Sequence, residues 1–334
     1  MKIKLLHLIT ACLILVVSTA CGIEKNRTYT ITEIGNESLG ALPGIRPRTL
    51  NNNGTIIGLN YGLQPSTYQN GIFSELPGLE GMAFSGLDIN EEGAIVGENL
   101  FGHALLYNHG AITTVSDLID ISPYTHSYAF SVNSSLDFVG SLERDFYDTD
   151  AFVVENNNLS LITICEGLPM QQVLAVDIND NGTIIGYCVE NQFSMAKSFV
   201  RYEGVYSLLD FPGIERIVAT KINDNDTVVG TFVNESAEFH GFSYNLNTKK
   251  FTDIGNIGMI SFIDINNVGE VIIMGETDDY IYTEAKGLRS LHPAIEANDW
   301  QALWEFTGIN DRGEIVGYGA NKDGNPKGFL LTPK

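Results

Sequence analysis

Apolar residues in this chain fall into short runs of four to six, and the same polar turn interrupts them at a nearly fixed interval. The clearest copy is Asp177 to Gly186, DINDNGTIIG. An Asn follows an apolar residue, a Gly lies three positions on, and an aliphatic pair and a second Gly come next. The Asn recurs at Asn51, Asn90, Asn133, Asn179, Asn223, Asn266 and Asn310, with spacings of 39, 43, 46, 44, 43 and 44. A period in this range marks a solenoid, a propeller or an array. Each copy predicts a β-hairpin. Asn suits the first position of a type I turn, and the closing left-handed position suits Gly. Gly54, Gly93, Gly182, Gly269 and Gly313 occupy that place. Asp226 tolerates it, whereas Leu136 predicts a distorted third turn or one of another type. The sixth copy departs at Ile273, where the second Gly belongs.

The aliphatic pair carries a further constraint. Neighbours in a strand face opposite ways, so Ile184 and Ile185 are both buried only if both faces of the sheet are covered. Four strand-like pieces recur in each repeat of about 43 residues: the run into the Asn, the run with the pair, a third such as His240 to Tyr244, and a shorter fourth such as Lys250 to Ile254. Four strands per repeat predict propeller blades. The seventh repeat supplies three strands before Lys334, and Tyr29 to Ile34 alternates as the missing fourth. The expected architecture is therefore all-β: a seven-bladed β-propeller of four-stranded antiparallel blades over residues 28–334, its ring closed by the N-terminal strand.

Residues 1–20 read as an export signal, with Lys2 and Lys4 before the mostly apolar run Leu5 to Val17 and small residues before Cys21. The segment resembles a bacterial lipoprotein signal, which implies a lipid on Cys21, a tether over 21–27 and membrane attachment. Gly22 after the Cys implies, by the same resemblance, the outer membrane or cell surface. Ser18 departs from the Leu usual in such signals. Without Lys2 and Lys4 the chain's 19 basic residues become 17 against 41 acidic ones, a net charge of −24. That balance excludes nucleic acid as a partner.

On the third strands, His103-Ala104-Leu105, Asp150-Ala151-Phe152 and His240-Gly241-Phe242, together with the seven Asn turns, resemble the HAF family of extracellular repeats. The resemblance implies an exported bacterial protein and brings no catalytic residues with it.

Asp177, Asn179, Asn181 and Gly182 match the opening of a calcium loop. Ile185 and Cys188 stand where further ligands belong, and the other copies lose more, so the turn explains the pattern. No metal or cofactor is expected. The six His lack metal-ligand spacing. Cys165 and Cys188 fall on neighbouring repeats and are either two buried thiols or a disulfide.

Variable loops offer the functional face. Links from second to third strands and from fourth strands to the next repeat vary in length, and in an up-and-down blade both emerge on one side. This face carries Tyr124, His126, Arg144, Phe146, Tyr147, Asp278, Asp279, Asp299 and Trp300. The expected function is non-catalytic binding of a protein, glycan or small molecule at the cell envelope. The alternative is a propeller lyase or hydrolase, which needs a convergent polar cluster that the sequence does not display.

Overall fold

A computed structural model describes residues 27–35, 45–60, 65–79, 84–99, 101–145, 148–165, 172–190, 196–214, 216–259, 262–276, 278–296 and 300–334. The expected signal, Cys21 and all of the tether except Arg27 lie outside them. Strand Tyr29–Ile34 (β1) is followed by Ile45–Leu50, Ile56–Asn60, Ser66–Gln69 and Ile72–Glu75 (β2–β5), and by Phe84–Ile89, Ile95–Asn99, Ala104–Asn108 and Ala111–Thr114 (β6–β9). After a one-turn helix, Val115–Leu118 (α1), come His126–Val132, Phe138–Asp145, Asp148–Glu155 and Asn158–Ile162 (β10–β13), then Gln172–Ile178, Ile184–Val189, Ala196–Tyr202 and Val205–Leu208 (β14–β17). Arg216–Ile222, Thr227–Val233, Phe239–Asn245 and Lys250–Asn256 (β18–β21) and Phe262–Ile265, Val271–Met274, Asp279–Thr283 and Gly287–Ser290 (β22–β25) follow. Ile295–Glu296, Trp300–Ile309, Ile315–Asn321 and Pro326–Pro333 (β26–β29) complete the chain.

These strands form an all-β propeller of small antiparallel blades. Among the described residues the hydrogen-bonded sheets number six rather than seven separate ones. The difference lies in the middle of the chain. There β10–β13 and β14–β17 join into one eight-stranded sheet through a single parallel pair, Thr149 with Gln172. A disulfide between Cys165 and Cys188, with Cα atoms 6.6 Å apart, spans the same junction and draws the two halves together. The last sheet takes strands from both ends of the chain. β1 runs antiparallel to β29, with Tyr29 opposite Pro333 and Ile34 opposite Gly328.

All seven Asn turns have the same backbone bonds. The residue three after the Asn donates to its carbonyl, and the Asn N–H donates to the carbonyl four residues on. Leu136 makes no exception. It adopts the left-handed conformation at φ +65° and donates to Asn133, so the expected distortion is absent. The flanking hydrogen bonds hold Leu136 where Leu is locally disfavoured.

The second Gly has a different task. In six copies a bulge shifts the register between the first and second strands, as between Ala175 and Asp177. The first-strand carbonyl then presses on the glycine. A Cβ on Gly186 would lie 2.1 Å from the Leu174 oxygen and 2.4 Å from the Phe199 ring. Ile273 stands at the equivalent place in the sixth copy, and there β22 pairs with β23 without a bulge.

The aliphatic pairs fill seven core clusters, each drawn from two neighbouring four-stranded units. Ile184 joins the cluster shared with β10–β13, and Ile185 joins the one shared with β18–β21. Ile315 and Val316 divide in the same way between the clusters on either side of the last sheet. Each buried aliphatic contributes roughly 1.5–3 kcal/mol.

The Asn side chains tie the units together. Each Oδ1 accepts the N–H four residues on within its own turn. Each Nδ2 donates to the main-chain carbonyl of the next Asn. The chain of bonds runs 51 to 90, 133, 179, 223, 266 and 310, and from Asn310 back to Asn51.

Asn223→Ala is expected to strip the Thr227 N–H of its acceptor and leave the Asn266 carbonyl with one donor, Gly269 N–H, instead of two, at a cost on the order of 2–4 kcal/mol in urea denaturation. Asn158→Ala, an exposed substitution, is the control and should leave the midpoint within about 0.5 kcal/mol.

Candidate functional site

The first strands of all the units surround one axis, and at the turn end their last residues line a cavity of about 160 Å³. Two positions before each Asn, the chain places Thr49, Asp88, Ser131, Asp177, Lys221, Asp264 and Gly308. The axis therefore holds a polar cluster of three carboxylates and one ammonium, which the sequence did not display. Most of these groups tie adjacent units. Asp88 accepts the Val132 N–H at 3.0 Å and the Ser131 hydroxyl at 2.8 Å. Asp177 accepts Ile222 N–H at 2.8 Å, and Asp264 accepts Ile309 N–H at 3.0 Å. The Asp177 of the calcium-loop pattern thus turns to the next unit rather than into its own turn.

Lys221 Nζ lies 3.5 Å from Asp177 Oδ1. The side chain sits deep in the molecule, yet 27% of its surface stays open because it faces the axial cavity. Burial lowers its pKa, but Asp177, Asp88 and Asp264 outweigh that and the net direction is up. Burial raises the carboxyls of Asp177 and Asp264 against the pull of Lys221, Asp264 to about 6.

On the variable-loop face the sequence-predicted residues fall into two groups. Near β10, the Tyr124 hydroxyl donates to Asp150 Oδ2 at 2.5 Å. The Arg144 guanidinium lies 5.0 Å from the centre of the Tyr124 ring and pairs with both Asp148 and Asp150. Burial and the Asp150 bond push the Tyr124 phenol up to about 12, and the bond to Asp148 raises Arg144. His126 opens β10, its Nδ1 3.1 Å from Thr125 Oγ1. The second group lies near β24 and β27. His292 Nε2 is 2.8 Å from Asp279 Oδ2, and Asp278 accepts the Asp279 N–H at 2.9 Å. Burial raises Asp279, and His292 pulls it back. Trp300 is half-buried in the last core, edge-on to Phe329 with centroids 5.4 Å apart, so its ring packs rather than presents itself. The two groups belong to units that are not adjacent round the Asn ring. Phe146, Tyr147 and Asp299 lie outside the described residues.

Sequence reasoning missed several residues of this face. Phe101 is 78% exposed, and its neighbour Gly102 abuts the His126 ring. Burial raises Glu98, while Arg48 and His126 lower it, which places these three around one spot. Tyr128 is pushed up to about 12 by burial and by Glu143 nearby, and its ring stacks on Phe130 at 6.2 Å. Across the ring, Trp304 is 46% exposed, and Arg46 Nε donates to Glu305 at 3.1 Å. The available signal was phase: Arg48, Tyr128, Phe130 and Trp304 lie on first strands at positions that are not core positions.

No protein-family model matches the chain, and no curated protein matches it. The fold is similar to solved propellers. The β-propeller domain of the Trilobed protease from Pyrococcus furiosus aligns with 88% of this chain and 95% of its own, at 9% identity and a TM-score of 0.55. Pyrococcus horikoshii acylaminoacyl peptidase aligns over 90% of this chain and 54% of its own, at 10% identity and 0.55. The extracellular domain of a putative one-component system from B. thetaiotaomicron aligns over 91% of this chain at 12% identity and 0.52, and the chain spans 40% of that protein. At these identities the likeness establishes the fold.

The raised Asp264 carboxyl sets a pH dependence. Its folded-state pKa exceeds the unfolded value, so its contribution is complete below about pH 4 and is lost as pH rises through about 6. The stability of the wild type relative to Asp264→Asn is therefore expected to fall between pH 4 and pH 7.5, by on the order of 1–3 kcal/mol. Paired urea melts at the two pH values measure it.

Proposed function

We propose that this protein is an exported, non-catalytic binding module of the HAF repeat type, held at the outer membrane or cell surface by a lipid on Cys21. In this reading the propeller is seven-bladed, one blade to each Asn turn, with strand β1 completing the last; the bonds from each turn Asn to the next, and from Asn310 back to Asn51, support it. The Tyr124–Arg144–Asp150 constellation carries the binding reading. A guanidinium over the ring and a hydroxyl bond hold an aromatic ring still at the edge of the variable loops, and exposed Phe101 precedes Gly102, which abuts the His126 ring. Rigid aromatic and Arg side chains bind at low entropic cost. The Lys2-to-Cys21 pattern supports export and lipidation.

The axial cluster favours the second reading, a lyase or hydrolase, because a carboxyl titrating near 6 suits acid–base chemistry. Its geometry weighs against that use. The cavity of about 160 Å³ is below the roughly 300–1,000 Å³ of ordinary ligand sites, and the carboxylates already hold backbone N–H groups.

The test uses residues 22–334 against peptidoglycan, lipopolysaccharide and capsular polysaccharide in a sedimentation or biolayer assay. Arg144→Ala is expected to weaken binding to the recognised polymer roughly tenfold or more, with little change in melting point. Binding unaffected by Arg144→Ala would move the site elsewhere, and release of new polymer ends would favour the enzyme reading. In cells, Cys21→Ala should transfer the protein from the membrane to the soluble fraction. Retention on the membrane would refute the lipid anchor.

A further inference from the structure

The outer wall of the propeller contains a second site. Between β24–β25 and the closing strand β1 lies a cavity of about 600 Å³, within the usual range for a small ligand. Tyr29, Glu270, Ile281, Lys286 and Arg289 are among its lining residues, with Arg27 at its edge.

Three features set it apart. Among the described residues, three buried side-chain atoms lack a hydrogen-bond partner, and two of them, Tyr29 Oη and Arg289 Nε, belong to this cavity. Tyr29 is 1% exposed, so its hydroxyl has no solvent to turn to. An unmade bond of this kind destabilises the fold, and Arg Nε donates only. Charge is the second feature. Among the described lining residues Arg27 and Arg289 stand with one acid, Glu270, in a chain with 41 acidic and 19 basic residues. Arg27 and Glu270 neutralise each other at 2.5 Å. Arg27 and Arg289 also act on the Tyr29 phenol, lowering a pKa that burial raises, which places the three groups together. Arg27 approaches that hydroxyl without meeting it in a hydrogen bond of normal geometry. The third feature is apolar surface: Val268, at the rim, is 65% exposed, and Ile281 forms part of the wall.

We propose that this cavity binds a small organic carboxylate, whose oxygens accept from Arg289 and Tyr29 and whose body rests on Val268 and Ile281. Two donors without acceptors call for an acceptor, and the guanidinium charge of Arg289 makes it anionic. The apolar rim favours a carbon skeleton over a bare inorganic ion. The site is on the flank of the ring and is independent of the variable-loop face. It depends on β1, since Tyr29 belongs to that strand.

Calorimetric titration of residues 22–334 with benzoate, D-galacturonate and citrate tests the proposal, with benzyl alcohol and D-galactose as neutral counterparts. At least one carboxylate is expected to bind saturably while its neutral counterpart does not. Arg289→Gln should weaken that binding roughly tenfold or more, and Tyr29→Phe, which keeps the packed ring, roughly three- to tenfold. Circular dichroism melts confirm that both variants fold. If Arg289→Gln does not fold, Tyr29→Phe and Arg289→Lys decide. No saturable binding by any of the three acids, equal binding of a neutral counterpart, or affinity unchanged in the folded variants would overturn the site.

Discussion

Each turn asparagine uses both ends of its carboxamide, and the ring depends on that. Oδ1 closes the asparagine's own hairpin and Nδ2 holds the next one, so one side chain makes a local and a long-range bond at once. Asp lacks the donor, and Ser is too short to serve both sites. Buried at 3–6% exposure, these groups have little water to fall back on, which raises the cost of any gap. The bond from Asn310 to Asn51 spans the full repeat array and links its ends. Interlocking cores accompany it, each aliphatic pair sending one side chain to either side.

A second tier of polar ties lies beside this ring and gives many of the acids a structural use. Asp180 takes the Ser134 N–H, Asp224 takes that of Asp180, and Asp311 takes that of Asn267. A third tier is formed by Asp88, Asp177 and Asp264 within the axis. Carboxylates placed this way hold neighbouring main chains, and at Asp177 and Asp264 the cost of burial appears as a raised carboxyl pKa. The net negative charge therefore belongs in part to the architecture.

The candidate site was legible to a smaller degree. Loop lengths pointed to one end of the units, and Tyr124, Arg144 and Asp279 stand there, around β10 and β24. Loop length carries no information on which side chains meet, however. Trp300 reads as a loop aromatic but packs on Phe329, whereas Phe101 and Trp304, unremarkable in the sequence, are exposed. Tyr29 looked like one more alternating strand residue. Its unpartnered hydroxyl exists only because β1 lies against the unit containing Arg289.

By itself the sequence determined the repeat, the hairpins, the two-sided burial of each aliphatic pair and the pairing of β1 with β29. The first three follow from local turn chemistry and the two-residue period of a strand, and the last from the seventh repeat supplying one strand fewer than the others. The absence of the second Gly at Ile273 even marked the one place without a bulge. Tertiary structure alone decided what Leu136 does, because backbone bonds from its neighbours overrule its own preference. It also decided that Cys165 meets Cys188, that two units share a sheet, and that Asp88, Asp177, Lys221 and Asp264 converge. Those contacts join residues about 20 to 180 positions apart, at distances set by how the units pack round an axis, and no local pattern records them.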